Sequence, residues 1–225
     1  MVVTTKVLRS TTVMTVDPMA RWIKKAYDEK TKRQAMDSYF ERVSMRGVER
    51  IFDVPRQRLA VWLQEDGEEL SEDLTATLAK PEADDVLELD EVWTFVQKKS
   101  EKRWLWIALS RRTRQVVAYV IGDRSEKTCR KLWERIPESY QKCHTFSDFW
   151  EAYQKVFPEE THQAVGKDSG QTNHVERWNN TLRQRLARLV RKTLSFSKSD
   201  YFHELVLRIF IHRYNRLRLV AISQT

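Results

Sequence analysis

Three carboxylates are spaced as a metal-dependent phosphodiester chemistry would need them. Asp90 sits in the middle of an apolar run at 86–96, Asp148 ends a second such run at 143–148, and Glu176 lies early in a basic run at 172–190. An acid on the core side of a strand is costly unless something cationic neutralises it. In a chain of net charge +8, three converging acids point to a divalent metal. Two Mg²⁺ (or Mn²⁺) ions about 3.5–4 Å apart can activate a nucleophile and stabilise a leaving oxygen. Such hard cations take oxygen ligands and keep several waters, so three or four carboxylates suffice. Asp90 is expected to bridge both ions, with Asp148 and Glu176 each completing one shell.

Several neighbours are rivals or helpers. Glu88 shares a strand face with Asp90, whereas Glu91 faces the other way. Asp168, in a loop between two glycines, is an alternative to Glu176. His174 is a possible auxiliary to a phosphate or a catalytic water, or else a hydrogen-bonded structural histidine. On a helical projection Val175, Trp178, Leu182, Leu186 and Leu189 form the core stripe. Glu176 then lies on its flank, with Asn180 and Arg183 further along.

The elements needed to hold these residues can be read from periodicity. Strands are predicted at 86–96, 102–110 and 115–121, forming a meander. A helix capped by Ser125 follows to about residue 136, then a strand at 143–146, a helix at 149–157 and a weak strand at 162–165. Long helices are predicted at 172–190 and 200–219. This is the order of an RNase H-like fold, an α/β (α+β) architecture with a five-stranded mixed sheet flanked by helices. Its first strand lies centrally beside the fourth, so Asp90 and Asp148 would face each other. An acid on a later helix across the sheet would complete the set.

Upstream, residues 28–64 read as three short helices, at 31–43, 45–52 and from Pro55 to about residue 64. They outline a small all-α helix-turn-helix module with Arg56 and Arg58 near DNA. The expected division is a loose lead-in at 1–27, this module at 28–64, an acidic linker at 65–85 and a catalytic domain at 86–221. Net charge runs +6 over 1–63, −11 over 64–91, +5 over 92–170 and +8 over 171–218. Two basic zones around an acidic strip indicate two contacts with a polyanion. Asn180, Arg183, Arg185, Arg188, Arg191 and Lys192 are expected to grip backbone phosphates, alongside Arg56 and Arg58.

Composition closes off other classes. Five glycines and five prolines argue against a disordered or collagenous chain. Cys129 and Cys143 form no CxxC pair, which disfavours a cysteine zinc site and points to a reduced, cytosolic setting. Apolar runs are too short for a membrane helix, and residues 1–16 lack the features of a signal peptide.

The residues also carry a resemblance. The blocks LDEVW (89–93), KRWL (102–105), VVA (116–118) with GDR (122–124), TFSD (145–148) and VERWNNTLRQRLARLVRKTLSFSK (175–198) resemble transposases of the bacterial insertion-sequence-one family. These are DDE recombinases with an RNase H-like catalytic domain. The resemblance covers about residues 86–215, with a looser similarity over 28–64, and implies that Asp90, Asp148 and Glu176 are the catalytic triad. It implies DNA as partner, both terminal inverted repeats and target DNA, and a homodimer or higher assembly associated with the nucleoid. Family members begin with a cysteine-rich zinc module that has no counterpart in this sequence. Either this branch recognises DNA ends without zinc, or the chain is a shortened or internally started product. A non-catalytic regulator of the element and a structure-specific nuclease of the same fold are the alternatives.

Overall fold

The computed structural model describes residues 26–190 and 192–224. The expected lead-in at 1–27 lies almost wholly outside them, as does Arg191. Among the described residues three helices come first, α1 (Glu29–Tyr39), α2 (Met45–Phe52) and α3 (Arg56–Glu68). Each starts at a local signal. The Asp28 carboxylate accepts from the Thr31 amide at 2.6 Å, the Ser44 hydroxyl accepts from the Gly47 amide at 3.1 Å, and Pro55 immediately precedes α3.

Two boundaries differ from the sequence expectation. The first helix ends at Tyr39 rather than near residue 43, because Arg42 takes a left-handed conformation (φ 71°) and turns the chain. The amide of Arg42 then donates to the carbonyl of Arg185 at 2.7 Å. The third helix runs on to Glu68, into the stretch expected as linker, because Gly67 lets it lie against Leu205 and Ile209 of the last helix. Beyond it Leu74 and Thr77 are buried, and Asp85 is buried against Arg112 at 2.7 Å. The acidic stretch is therefore anchored on the fold at several points.

The sheet follows with β1 (Val86–Phe95), β2 (Lys102–Ser110) and β3 (Val116–Gly122). Then come α4 (Glu126–Arg135), α5 (Glu138–Gln141), β4 (His144–Ser147), α6 (Glu151–Val156), β5 (His162–Ala164), α7 (Asn173–Arg185) and α8 (Asp200–Ser223). Strand order is β3-β2-β1-β4-β5. The first three strands pair antiparallel, whereas β1 with β4 and β4 with β5 are parallel. This is the mixed five-stranded sheet of an RNase H-like fold, with β1 at its centre.

Alternation along the strands sorts two cores. Leu87, Leu89, Trp106 and Ala108 lie with Leu132, Tyr140 and Tyr153 on the face covered by α4, α5 and α6. Val92, Leu105, Ile107 and Leu109 lie in the opposite core with Trp178, Leu182 and Phe210 from α7 and α8. Phe40, Trp62 and Leu63 of the opening helices belong to that same core. At the sheet edge the Asn215 side chain of α8 accepts from the Val116 amide at 2.9 Å and donates to its carbonyl at 2.8 Å. Among the described residues no helix is long and apolar enough to cross a membrane.

The tightest approach between α3 and α8 gives a stability test. A Cβ on Gly67 would meet Leu205 Cγ at 2.6 Å and Ile209 Cδ1 at 3.2 Å. Gly67→Ala should lower unfolding free energy by about 1–3 kcal/mol through overpacking. Urea denaturation checks this, and an unchanged or raised midpoint would show that α3 does not press on α8.

Candidate active site

The central strand presents acids to both faces of the sheet, and their surroundings differ. Glu88 is fully buried and saturated. Its carboxylate accepts from Arg111 Nε at 2.7 Å, from the amides of His174 and Val175 at 2.8 and 3.0 Å, and pairs with His174 Nδ1 at 2.6 Å. Three of these four contacts come from the first turn of α7, where orphan amides and the helix dipole favour an anion. Glu88 is thus the peg that holds α7 to the sheet. The His174 ring is turned onto Glu88, which gives this histidine a structural contact at the place where an auxiliary role is expected from sequence.

Glu91, on the other face, is held by Arg124 Nε at 2.6 Å and by the Tyr153 hydroxyl at 2.9 Å. Arg124 in turn stacks over Trp150 at 4.2 Å and Trp104 at 4.9 Å. Burial raises the Glu91 carboxyl above its ordinary range, against the pull of Arg124.

Among the described residues Asp90 has no such cation. It accepts from Asn179 Nδ2 at 2.6 Å and from the Glu91 amide at 2.8 Å. Its carboxyl is pushed up to about 7, first by burial and then by the charges of Glu91, Asp148 and Glu176. The topology explains the crowding. β1 and β4 run parallel with Glu88 beside Phe146; two residues further on stand Asp90, within β1, and Asp148, just past the end of β4. Asp148 itself accepts from the Trp150 amide at 3.0 Å, which fixes the turn into α6. Glu176 lies one helical turn before Asn179, whose amide touches Asp90. The Thr172 hydroxyl reaches Glu176 at 3.5 Å.

The three predicted acids therefore share one electrostatic neighbourhood. They are not gathered into a ligand cage: among the described residues no group of three or more His, Cys, Asp or Glu side chains stands close enough to hold a metal ion. The donor chemistry nonetheless suits a hard cation, since all three acids offer oxygen and Asp90 pairs with no described cation. Beside Asp90, the buried Asn179 Oδ1 has no hydrogen-bond partner among the described residues.

Asn179 is a site residue that sequence reasoning misses. The sequence offers two adjacent asparagines and the projection favours Asn180, which is exposed. A rotation of 100° along the helix separates them, and the i, i+3 spacing from Glu176 is the available signal. The helix also ends at Arg185, not near residue 190, because Leu186 adopts an extended conformation. That changes the basic surface. Arg188 is buried, donating to Ser197 Oγ at 3.0 Å, to the Phe202 carbonyl and to the Tyr39 hydroxyl, so it is a strut rather than a solvent-facing cation. Arg185 pairs with Glu41 and lies over Phe210. Arg58 and Arg183 are half-buried. Arg56 is exposed, 3.1 Å from Glu49, and Lys192 is exposed. Cys129 and Cys143 are buried free thiols, and burial pushes the Cys129 thiol up to about 12.

The class that the chain's relatives define is the polynucleotidyl-transferase type of nucleic-acid enzyme. Comparison with known sequences places the chain within it. The family model for IS1 transposase matches residues 85–216. The chain is 40% identical over 129 residues to the insertion element iso-IS1n protein InsB of Shigella dysenteriae, covering 57% of this chain and 95% of that one. It is 38% identical over 125 residues to the insertion element IS1 protein InsB of Shigella flexneri, covering 56% and 92%. The insertion element IS1 4 protein InsB of Escherichia coli K12 is 37% identical over 125 residues, 56% of this chain and 72% of that protein. The chain belongs to the IS1 transposase family.

Two expected outcomes follow from the contrast between Glu88 and Asp90. Glu88→Ala leaves Arg111 and the α7 amides without their anion and should cost about 3–5 kcal/mol of unfolding free energy. A loss within experimental error in chemical denaturation would remove Glu88 as the anchor. For Asp90, the folded value of about 7 lies above the ordinary value of 3.8. The fold then binds more protons than the unfolded chain between those values, so its contribution is most favourable below the lower one and is lost as pH rises through the higher one. In EDTA, Asp90→Asn should raise the melting temperature at pH 8, by about 2–4 °C for each kcal/mol relieved, and the gain should shrink toward pH 5. Parallel pH profiles for the two proteins would refute the repulsion.

Proposed function

We propose that the chain is a DNA transposase that cleaves at the ends of its own insertion sequence and transfers the resulting 3′-hydroxyl to target DNA. The observation that carries this reading is Asp90 on the central strand, uncompensated by any described cation and repelled by Glu91, Asp148 and Glu176. Asp90, Asp148 and Glu176 would hold two Mg²⁺ (or Mn²⁺) ions. When bound, such ions activate a nucleophile and stabilise a leaving oxygen.

The protein's own contribution is positioning. Glu88 fixes the start of α7 against β1, and so sets Glu176 at a defined height above Asp90. Asn179 orients the Asp90 carboxylate through its amide. Water would attack the phosphorus at the element end, breaking the P–O3′ bond and leaving a 3′-hydroxyl. That hydroxyl would then attack a target phosphodiester, forming one P–O bond as another breaks. Arg56, Arg58, Asn180, Arg183 and Lys192 would bind DNA, largely through backbone phosphates, so affinity should fall steeply with salt. Joining two ends calls for a homodimer or higher assembly.

A strand-transfer assay with an oligonucleotide end, Mg²⁺ and a plasmid target tests the reading. Asp90→Ala, Asp148→Ala and Glu176→Ala should each lower joining by about 10²–10³-fold or more, the scale of losing a principal stabiliser of developing charge. DNA binding should persist in all three. Joining that survives the substitutions rejects the triad. Cleavage by the wild type without joining would mark a structure-specific nuclease, and binding without either reaction a regulator.

A further inference from the structure

A concavity lies between the opening helices and the segment linking α7 to α8, and its lining includes none of the three acids. Its volume is about 880 Å³, within the range of pockets that take small ligands. Four cations line it, Arg46, Arg56, Arg188 and Lys198, and no described Asp or Glu does. Arg188 forms part of the wall and is committed to internal hydrogen bonds. Arg46 and Lys198 are exposed and pair with no carboxylate among the described residues. Ser44 caps α2, Arg56 opens α3 and Ser199 caps α8, so the positive ends of three helices add to the same field.

Between these charges the lining mixes serines with the apolar side chains Met45, Leu194, Phe196 and Phe202. Leu194 is 95% exposed, and the nearby Phe196 ring lies 5.8 Å from the Phe95 ring. The linking segment is itself well fixed, since Ser197 bridges to Val96 and its carbonyl accepts from the Gln97 amide at 2.7 Å. Apolar and aromatic side chains among cations suit single-stranded nucleic acid, in which phosphates track the charges and unpaired bases stack on aromatic rings. A duplex keeps its bases stacked inside and would leave these side chains uncovered.

We propose that the groove binds a short single-stranded segment of DNA, with phosphates toward Arg46, Arg56 and Lys198 and bases against Leu194 and Phe196. The proposal rests on the transposase reading, because cleavage and joining at DNA ends is what would bring unpaired strand to this surface.

Fluorescence anisotropy of the full chain with a short oligothymidylate, and with a duplex of equal length, tests it in EDTA. The double variant Arg46→Glu, Lys198→Glu should weaken single-strand binding by about 10–100-fold and duplex binding by no more than about threefold. Leu194→Ser, at a side chain exposed almost in full, should weaken the single strand by about fivefold or more, the scale of one lost base contact. Melting temperatures within error of wild type exclude unfolding as the cause, and Leu194→Ser decides the matter if the charge reversals do not fold. Equal losses for both DNAs, or an unchanged single-strand affinity, would overturn the groove. Wild type that binds duplex but no single strand overturns the groove alone. Strand joining by Asp90→Ala overturns the catalytic reading alone, and wild type that binds neither DNA overturns both.

Discussion

A carboxylate taken wholly out of water must be surrounded by donors, and Glu88 meets that demand with the start of a helix. Arg111 supplies one partner, and the first turn of α7 supplies two backbone amides and an imidazole. Because amides at a helix N-terminus have no partner within their own helix, strand and helix resolve each other's deficit. The height, tilt and rotation of α7 over β1 follow from that pairing. Trp178 can then enter the core, Asn179 can reach Asp90, and Glu176 comes within electrostatic range of it.

The four acids between residues 85 and 91 fall into two groups. Glu88, Glu91 and Asp85 each have a guanidinium partner. Among the described residues Asp90 has only an amide side chain and a backbone N–H. A fold that supplies arginines to three acids and withholds one from the fourth leaves a local excess of negative charge on its central strand. Such an excess is costly in the absence of a cation, and functional sites are where such costs collect. Arg124 offsets part of the charge of Glu91, which still adds to the repulsion on Asp90, and sits between Glu91, Trp104 and Trp150. Through Trp150 it also braces the turn that carries Asp148.

Much of this was legible in the sequence because strand alternation and helix caps are local. The meander followed from pattern, and the central place of β1 beside β4 from the RNase H-like fold that the order of elements matches. What was not legible depended on tertiary partners. Glu88 and Asp90 stand two residues apart on one strand face, and no local feature tells which one meets α7 and which one is left uncompensated. Asn179 and Asn180 differ only by a rotation along the helix. The apolar spacing through Leu186 and Leu189 continues past the helix end, so periodicity overran the break where Arg42 captures the Arg185 carbonyl. Arg188 looked like one more surface cation, and only the placement of Tyr39, Ser197 and Phe202 around it shows it to be internal.

The side chain of Asn215 changes what the sheet can do as a template. By bonding both the N–H and the C=O of Val116, it behaves as one residue of a sixth strand lodged on a helix. An outermost strand with free backbone groups invites a neighbouring chain to extend it. Here that invitation is withdrawn at Val116, and the opposite border is a strand of three residues. Edge-to-edge joining of two such sheets is thereby disfavoured at Val116 and limited to three residues at β5.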